Sequence, residues 1–157
     1  MNTILARSRQ MEYHTDMRQV FLAIENQQQN YNWLITNIEC NHDPDPRIRY
    51  PYPDYVWMNG KEITELVYEH DIQFIWAVFS GFEPHIHLDD ILKEPLPSAE
   101  NPNLWESHPK VQNSMATLEI VAWDSTSTLL LSKDASISKC FRRRFPEAED
   151  LDENNSR

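Results

Sequence analysis

The sequence has only two glycines in 157 residues, and neither belongs to a phosphate-binding loop of the GxGxxG or GxxxxGK type. Common nucleotide-dependent chemistry is therefore not expected. Its two cysteines, Cys40 and Cys140, form no CxxC motif, which predicts a reduced, buried pair. No apolar run approaches the roughly 18 residues of a membrane-spanning helix, and residues 1–10 contain no apolar block of signal-peptide length. We therefore expect a cytoplasmic protein with no membrane partner and no cofactor.

Basic residues are also scarce. The 14 lysines and arginines are outnumbered by 25 aspartates and glutamates, which gives a formal net charge of −11. The imbalance is concentrated in residues 51–100, which hold ten acidic and two basic side chains. A negative excess repels phosphate backbones, so nucleic acid is not expected as a partner. The acidic middle third either keeps the protein in solution or speeds encounter with a basic protein partner.

Three parts are expected along the chain. Residues 1–16 show no clean apolar period and predict a flexible arm, and residues 147–157 predict an acidic tail. Residues 17–146 predict a single α+β domain. Its expected architecture is one mixed, mostly antiparallel sheet of five or six strands with two packed helices.

Cap residues mark both expected helices. Asn59, followed three residues later by Glu62, is typical of a capping box and predicts a helix near residues 60–70. Asp134 is a suitable N-cap for a second helix near residues 134–145. Apolar residues recur at helical spacing after each cap, so each helix should pack one face on the sheet.

Five segments are alternately or continuously apolar, as strands are: residues 33–40, 55–58, 72–82, 115–123 and 126–132. Residues 19–25 also alternate and predict a strand that forms a hairpin with residues 33–40, although a helix across residues 16–29 fits the same stretch. The order strand–helix–strand over residues 55–82 predicts one parallel pair. Residues 83–113 carry five prolines and predict a long irregular segment, a kind that often has a function.

One short cluster resembles a metal site. His85 and His87 are two positions apart in an extended segment, so they point to one side, where Asp89 can complete a facial set of ligands. Three residues of a proline-rich loop are possible further ligands: His42, Asp43 and Asp45. The pattern HxH recurs by chance, and a solvated loop that leads into a helix cap explains it more simply than a metal site does.

Aromatic and acidic side chains give the candidate protein-binding site. Tyrosine and tryptophan are enriched at binding hot spots, and proline reduces the ordering cost of the loops that carry them. Carboxylates on the first helix would supply charge complementarity to a basic partner. The candidate residues are Tyr50, Tyr52, Asp54, Tyr55, Glu62, Glu65, Glu69 and Trp105. These aromatic rings serve equally well as seals for the ends of the sheet.

Several phrases resemble a family of small, uncharacterised bacterial cytosolic proteins. They are NWLIT at residues 32–36, WMNGKEI at 57–63, FIWAVFS at 74–80, EIVAWDS at 119–125 and a closing pattern that includes Leu129, Asp134 and Phe145. The resemblance covers residues 18–152 and implies a shared fold rather than a reaction. In size, acidity and compactness the family is similar to immunity proteins, the single-domain inhibitors made beside bacterial toxins.

Three functional hypotheses follow. The first is a non-enzymatic, immunity-like module that occludes a basic protein partner. The second is a small metal-dependent enzyme that uses His85, His87 and Asp89. The third is a self-associating structural protein, such as a homodimer. No serine elbow of the GxSxG type or other catalytic motif favours a particular reaction.

Overall fold

A computed structural model describes residues 1–8, 11–41 and 45–157. Its strands are β1 (Thr3–Leu5), β2 (Asn32–Cys40), β3 (Tyr55–Asn59), β4 (Phe74–Phe82), β5 (Leu118–Trp123), β6 (Ser127–Ser132) and β7 (Glu149–Asp150). Its α-helices are α1 (Met17–Ala23), α2 (Gly60–Glu69), α3 (Leu88–Ile91), α4 (Ala135–Arg144) and α5 (Leu151–Asn155). Short 3₁₀ turns span Gln27–Asn30, Pro46–Ile48 and Pro102–Trp105. Among the described residues, no helix has both the length and the apolar character needed to cross a bilayer.

The strands form a single sheet in the order β3-β2-β4-β5-β6-β1-β7, which confirms the α+β class. Every neighbouring pair of strands is antiparallel, so the prediction of a mixed sheet is wrong. The expected parallel pair does not form, because β2 inserts between β3 and β4 and is antiparallel to both. The described residues hold seven strands and five α-helices, more than the five or six strands and two helices predicted.

Helix α1 replaces the strand predicted over residues 19–25. Its N-cap is Asp16, whose Oδ1 accepts a hydrogen bond from the backbone N–H of Arg18 at 3.0 Å. Val20 and Ile24 are fully buried, but Leu22, which would share their strand face, is 42% exposed. The burial therefore follows the helical period, and the helix that also fits this stretch is the one that forms.

The two predicted caps are confirmed. Asn59 Oδ1 accepts from the backbone N–H of Glu62 at 2.8 Å, and Glu62 Oε1 accepts from the backbone N–H of Asn59 at 3.1 Å. Asp134 Oδ1 accepts from the backbone N–H of Ser136 at 2.9 Å and begins α4. These bonds satisfy backbone N–H groups that have no partner within the helix.

Both chain ends contribute to the sheet, which corrects the expected flexible arm and makes the acidic tail part of the domain. Strand β1 lies between β6 and β7, with Ile4 opposite Leu129 on one side and Glu149 on the other. Leu5 and Leu151 are fully buried. Three-residue and two-residue strands are too short to show a period, so the sequence pattern could not reveal them. Within the predicted arm, Arg9 and Gln10 lie outside the described residues.

The sheet is covered on both faces, but by different kinds of structure. We call one side the helix face, where alternate sheet residues such as Ile35, Phe79 and Ile120 pack with α1, α2 and α4. The other side is the loop face, where Val78 and Val121 pack under the segment of residues 83–117. That segment is mostly irregular, as predicted, and it takes the place of a second layer of helices.

The first prediction concerns the N-terminal strand. Leu5→Ala should lower the free energy of unfolding by about 2–5 kcal/mol, because Leu5 is fully buried in the helix-face core. Urea denaturation followed by tryptophan fluorescence measures the change. Arg7→Ala, just beyond the same strand and exposed, is the matched control and should change it by less than about 0.5 kcal/mol. Equal effects of the two substitutions would mean that β1 is not part of the core.

Candidate functional site

Three carboxylates of α2 form an acidic ridge. Glu62, Glu65 and Glu69 are spaced by three and four residues, so they project from one side of the helix. The opposite side packs Ile63 and Val67 into the helix-face core. The ridge is exposed because an amphipathic helix buries its apolar side in the core and leaves its polar side in water.

Two exposed ion pairs partly offset this charge. Arg47 Nη1 lies 3.3 Å from Glu62 Oε2, and Lys61 Nζ lies 3.9 Å from Glu65 Oε1. Arg47 is also held by Asp45, whose pKa is lowered chiefly by the hydrogen bond from that guanidinium. Exposed pairs of this kind are weak and salt-sensitive, so the ridge keeps a net negative field.

The loop that carries Tyr50 and Tyr52 is tied to the same side of the sheet. Tyr52 is half-buried against the helix-face core, and its hydroxyl donates to Cys40 O and accepts from Cys40 N, both at 3.2 Å. Tyr50 packs edge-on against Tyr52 with ring centroids 5.7 Å apart, and it is 72% exposed. Arg47 of this loop reaches Glu62, so the loop adjoins the acidic ridge.

The remaining predicted binding residues lie elsewhere. Tyr55 shares the alternation of Trp57, which packs on the loop face, so Tyr55 lies across the sheet from α2. Trp105 packs against Trp123 on the loop face, with ring centroids 5.3 Å apart, in a core role rather than beside the ridge. Asp54 is exposed immediately before β3. The predicted set is therefore split between the two faces of the sheet.

The histidine cluster does not assemble into a metal site. His85, His87 and Asp89 are each exposed, and His87 precedes α3 as an N-cap whose side chain makes no capping hydrogen bond. Across residues 1–8, 11–41 and 45–157, no group of three or more His, Cys, Asp or Glu side chains is placed to hold a metal ion. Of the further ligands considered, His42 and Asp43 lie outside the described residues, and Asp45 bonds Arg47.

Only one of the two cysteines is buried as predicted. Cys40 is buried at the end of β2, whereas Cys140 on α4 is half-buried, which corrects the expectation of a buried pair. The pKa of the Cys140 thiol is raised, first by desolvation and then by Glu25. A raised thiol pKa lowers the fraction of thiolate, so Cys140 is not an activated nucleophile.

Glu119 is the polar residue that sequence reasoning missed. It is fully buried on the loop-face side of β5, although Leu118 and Ile120 beside it belong to the helix-face core. Its carboxylate accepts hydrogen bonds from Ser80 Oγ at 3.1 Å, from Asn113 N at 3.2 Å and from Gln112 N. Desolvation by burial raises its pKa from 4.5 to about 7 despite these bonds. An acidic residue inside an apolar strand was the available sequence signal.

Around Glu119, polar side chains fasten the covering segment to the sheet. Gln112 Oε1 accepts from Ser98 N at 2.9 Å, and Gln112 Nε2 donates to Ser98 O at the same distance. Asn37 of β2 accepts from the backbone N–H of Ala99 at 2.8 Å. Glu119 thus belongs to a network that positions the segment of residues 83–117.

Comparison with known proteins assigns no family. No protein-family model, no curated protein and no solved structure matches this chain. The resemblance to immunity-like proteins and the self-association hypothesis therefore stay predictions, and the functional argument rests on the geometry of this chain.

The second prediction follows from the burial of Glu119. Between pH 4.5 and 7 the folded protein keeps a proton that the unfolded chain has lost, so this residue makes the free energy of unfolding fall as pH rises. Glu119→Gln removes that dependence. The free energy of unfolding of the variant, relative to that of the unsubstituted protein, should therefore rise by about 3 kcal/mol from pH 4 to pH 8.

Urea denaturation of both proteins at a series of pH values measures this gain. At pH 4 both side chains are neutral, so the difference there reports the cost of the substitution itself. A difference that stays constant from pH 4 to pH 8 would contradict the raised pKa of Glu119.

Proposed function

We propose that this protein is a non-enzymatic binding module that captures a basic protein partner on its acidic ridge, as an immunity or inhibitor protein does. The observation that carries the proposal is the set of three carboxylates on α2, which the Arg47–Glu62 ion pair joins to the loop of the exposed Tyr50. Carboxylates steer a cationic partner, and an exposed aromatic ring gives it a surface to pack on.

The chemistry of the partner follows from these side chains. Lysine and arginine pair with carboxylates, and their cationic groups also bind over the face of a tyrosine ring. Because Tyr52 is anchored at Cys40 and packs against Tyr50, little ordering of the loop is needed on association. A lysine-rich or arginine-rich protein surface is therefore the expected ligand.

The third prediction tests the ridge. The double variant Glu65→Lys and Glu69→Lys should lose the partner, because it reverses two exposed charges and leaves the Asn59–Glu62 capping box intact. The matched control is Glu100→Lys with Glu106→Lys, which changes the net charge equally on exposed sites of the covering segment. The two variants separate a local effect from a change in total charge.

Each protein serves as bait for the native cytosol at low and high salt. One basic protein retained by the unsubstituted bait and by the control, released by salt and lost by the ridge variant would support the proposal. With that partner in hand, stopped-flow kinetics should show a roughly tenfold slower association for the ridge variant at low salt. Equal retention by all three baits, or retention of no protein, would contradict it.

The fourth prediction tests the aromatic contact. Tyr50→Ala should weaken binding of the same partner by about 2 kcal/mol, mainly through faster dissociation. Tyr50→Phe is the matched control, since it keeps the ring that packs on Tyr52 and should bind within about 0.5 kcal/mol of the unsubstituted protein. Calorimetric titration measures both affinities. An unchanged affinity of the alanine variant would remove Tyr50 from the interface.

A further inference from the structure

A basic cavity opens at the other end of the sheet, between the start of β1 and the end of β6. Its volume is about 420 Å³, which falls in the range of small-molecule sites. Two of its lining residues are lysines, Lys110 and Lys133, and none of those that line it is acidic. In a chain of net charge −11, such a wall is a local reversal of the overall field.

The lysines carry charge that the protein does not neutralise at close range. Neither Lys110 nor Lys133 forms a salt bridge within the described part of the chain. Lys133 Nζ donates to Ser114 O at 2.5 Å, which places its ammonium at the wall and leaves further N–H groups to donate. Glu94 accepts hydrogen bonds from the backbone N–H and the hydroxyl of Ser114, and its negative charge partly offsets that of Lys133.

The rest of the wall is apolar or already hydrogen-bonded. Pro109 and Val111 give it an apolar surface, to which the lysine stems can add. The Ser132 hydroxyl donates to Asp134 O at 2.9 Å, and the Ser114 hydroxyl donates to Glu94 at 2.6 Å. The cavity therefore offers cationic donors at its walls but few free groups for a ligand rich in hydroxyls.

The walls are held in place without a ligand. Asn2 Nδ2 donates to Pro109 O at 2.6 Å, and Asn2 Oδ1 accepts from Ser132 N at 3.2 Å, so a single side chain ties the covering segment to β6. Lys133 N donates to Thr117 O at 2.9 Å. A preformed cavity of this kind spends little conformational entropy on binding.

We propose that the basic cavity binds a small organic anion with one anionic group and a short apolar body. The anionic group lies between Lys110 and Lys133, and the apolar body packs on Pro109 and Val111. The cavity shares no residue with the acidic ridge or the Tyr50 loop, so this site is independent of the proposed partner binding.

Titration of the ¹⁵N-labelled full chain tests the site, with backbone amide shifts as the readout. Hexanoate should give saturable shifts at Lys110, Val111, Ser114 and Lys133. Acetate supplies the charge without the body and hexanamide the body without the charge, so each should bind roughly tenfold more weakly. Inorganic phosphate is the fourth probe and distinguishes a site for the anionic group alone.

Variants assign the charge to the two lysines. Lys110→Gln and Lys133→Gln should each weaken hexanoate binding about fivefold, while Lys139→Gln, on α4 and outside the cavity, should leave it unchanged. Lys110 is exposed and forms no salt bridge within residues 1–8, 11–41 and 45–157, so its variant stays informative if Lys133→Gln is unstable. Absence of saturable shifts with hexanoate, equal binding of hexanamide, tighter binding of phosphate or unchanged binding by Lys110→Gln would overturn the proposal.

Discussion

Strands β4 and β5 are apolar on both of their faces, so both faces of the sheet have to be covered by other parts of the chain. Apolar surface on a sheet is stable only when another layer excludes water from it. Three helices cover the face that holds Phe79 and Ile120. The described residues hold no further long helix for the face of Val78 and Val121, and the segment of residues 83–117 covers it instead.

An irregular segment cannot satisfy its own backbone as a helix does, and the buried carboxylate of Glu119 meets part of that need. It accepts from the backbone N–H groups of Gln112 and Asn113, while Gln112 bonds the backbone of Ser98. A buried charge is costly, which is why the pKa of Glu119 is raised to about 7. The network therefore holds the covering segment in place, but the buried carboxylate lowers the free energy of unfolding near neutral pH.

The packing of the helices and of the covering segment on the sheet also positions the two proposed binding regions. Packing α2 on the helix face turns Glu62, Glu65 and Glu69 outward, and the Arg47–Glu62 ion pair joins the loop of Tyr50 to them. On the opposite side, the end of the covering segment meets β6 and Asn2, and the basic cavity lies at that junction. We propose the exposed acidic region for a protein partner and the basic cavity for a small anion.

The sequence alone was sufficient to predict the features that depend only on residues close together in the chain. The capping box at Asn59, the N-cap at Asp134, the apolar runs of β2, β4, β5 and β6 and the acidic side of α2 are all visible in the sequence, since each depends on residues within one turn or one strand. The three glutamates lie on the outer side of α2, as those signals indicate, and their role in binding stays a prediction.

Contacts between distant residues decided the remainder. Strand β1 is three residues long and exists because β6 and β7 pair with it, and helix α1 prevails over an alternating pattern because its buried side meets the core. Trp105 and Tyr55 lie on the loop face for the same reason. Gly60 is an example of a residue whose identity depends on a distant neighbour. A Cβ at this position would lie 2.4 Å from the backbone oxygen of Gln29. Because Gln29 is 31 positions away in the sequence, no local pattern could indicate this contact.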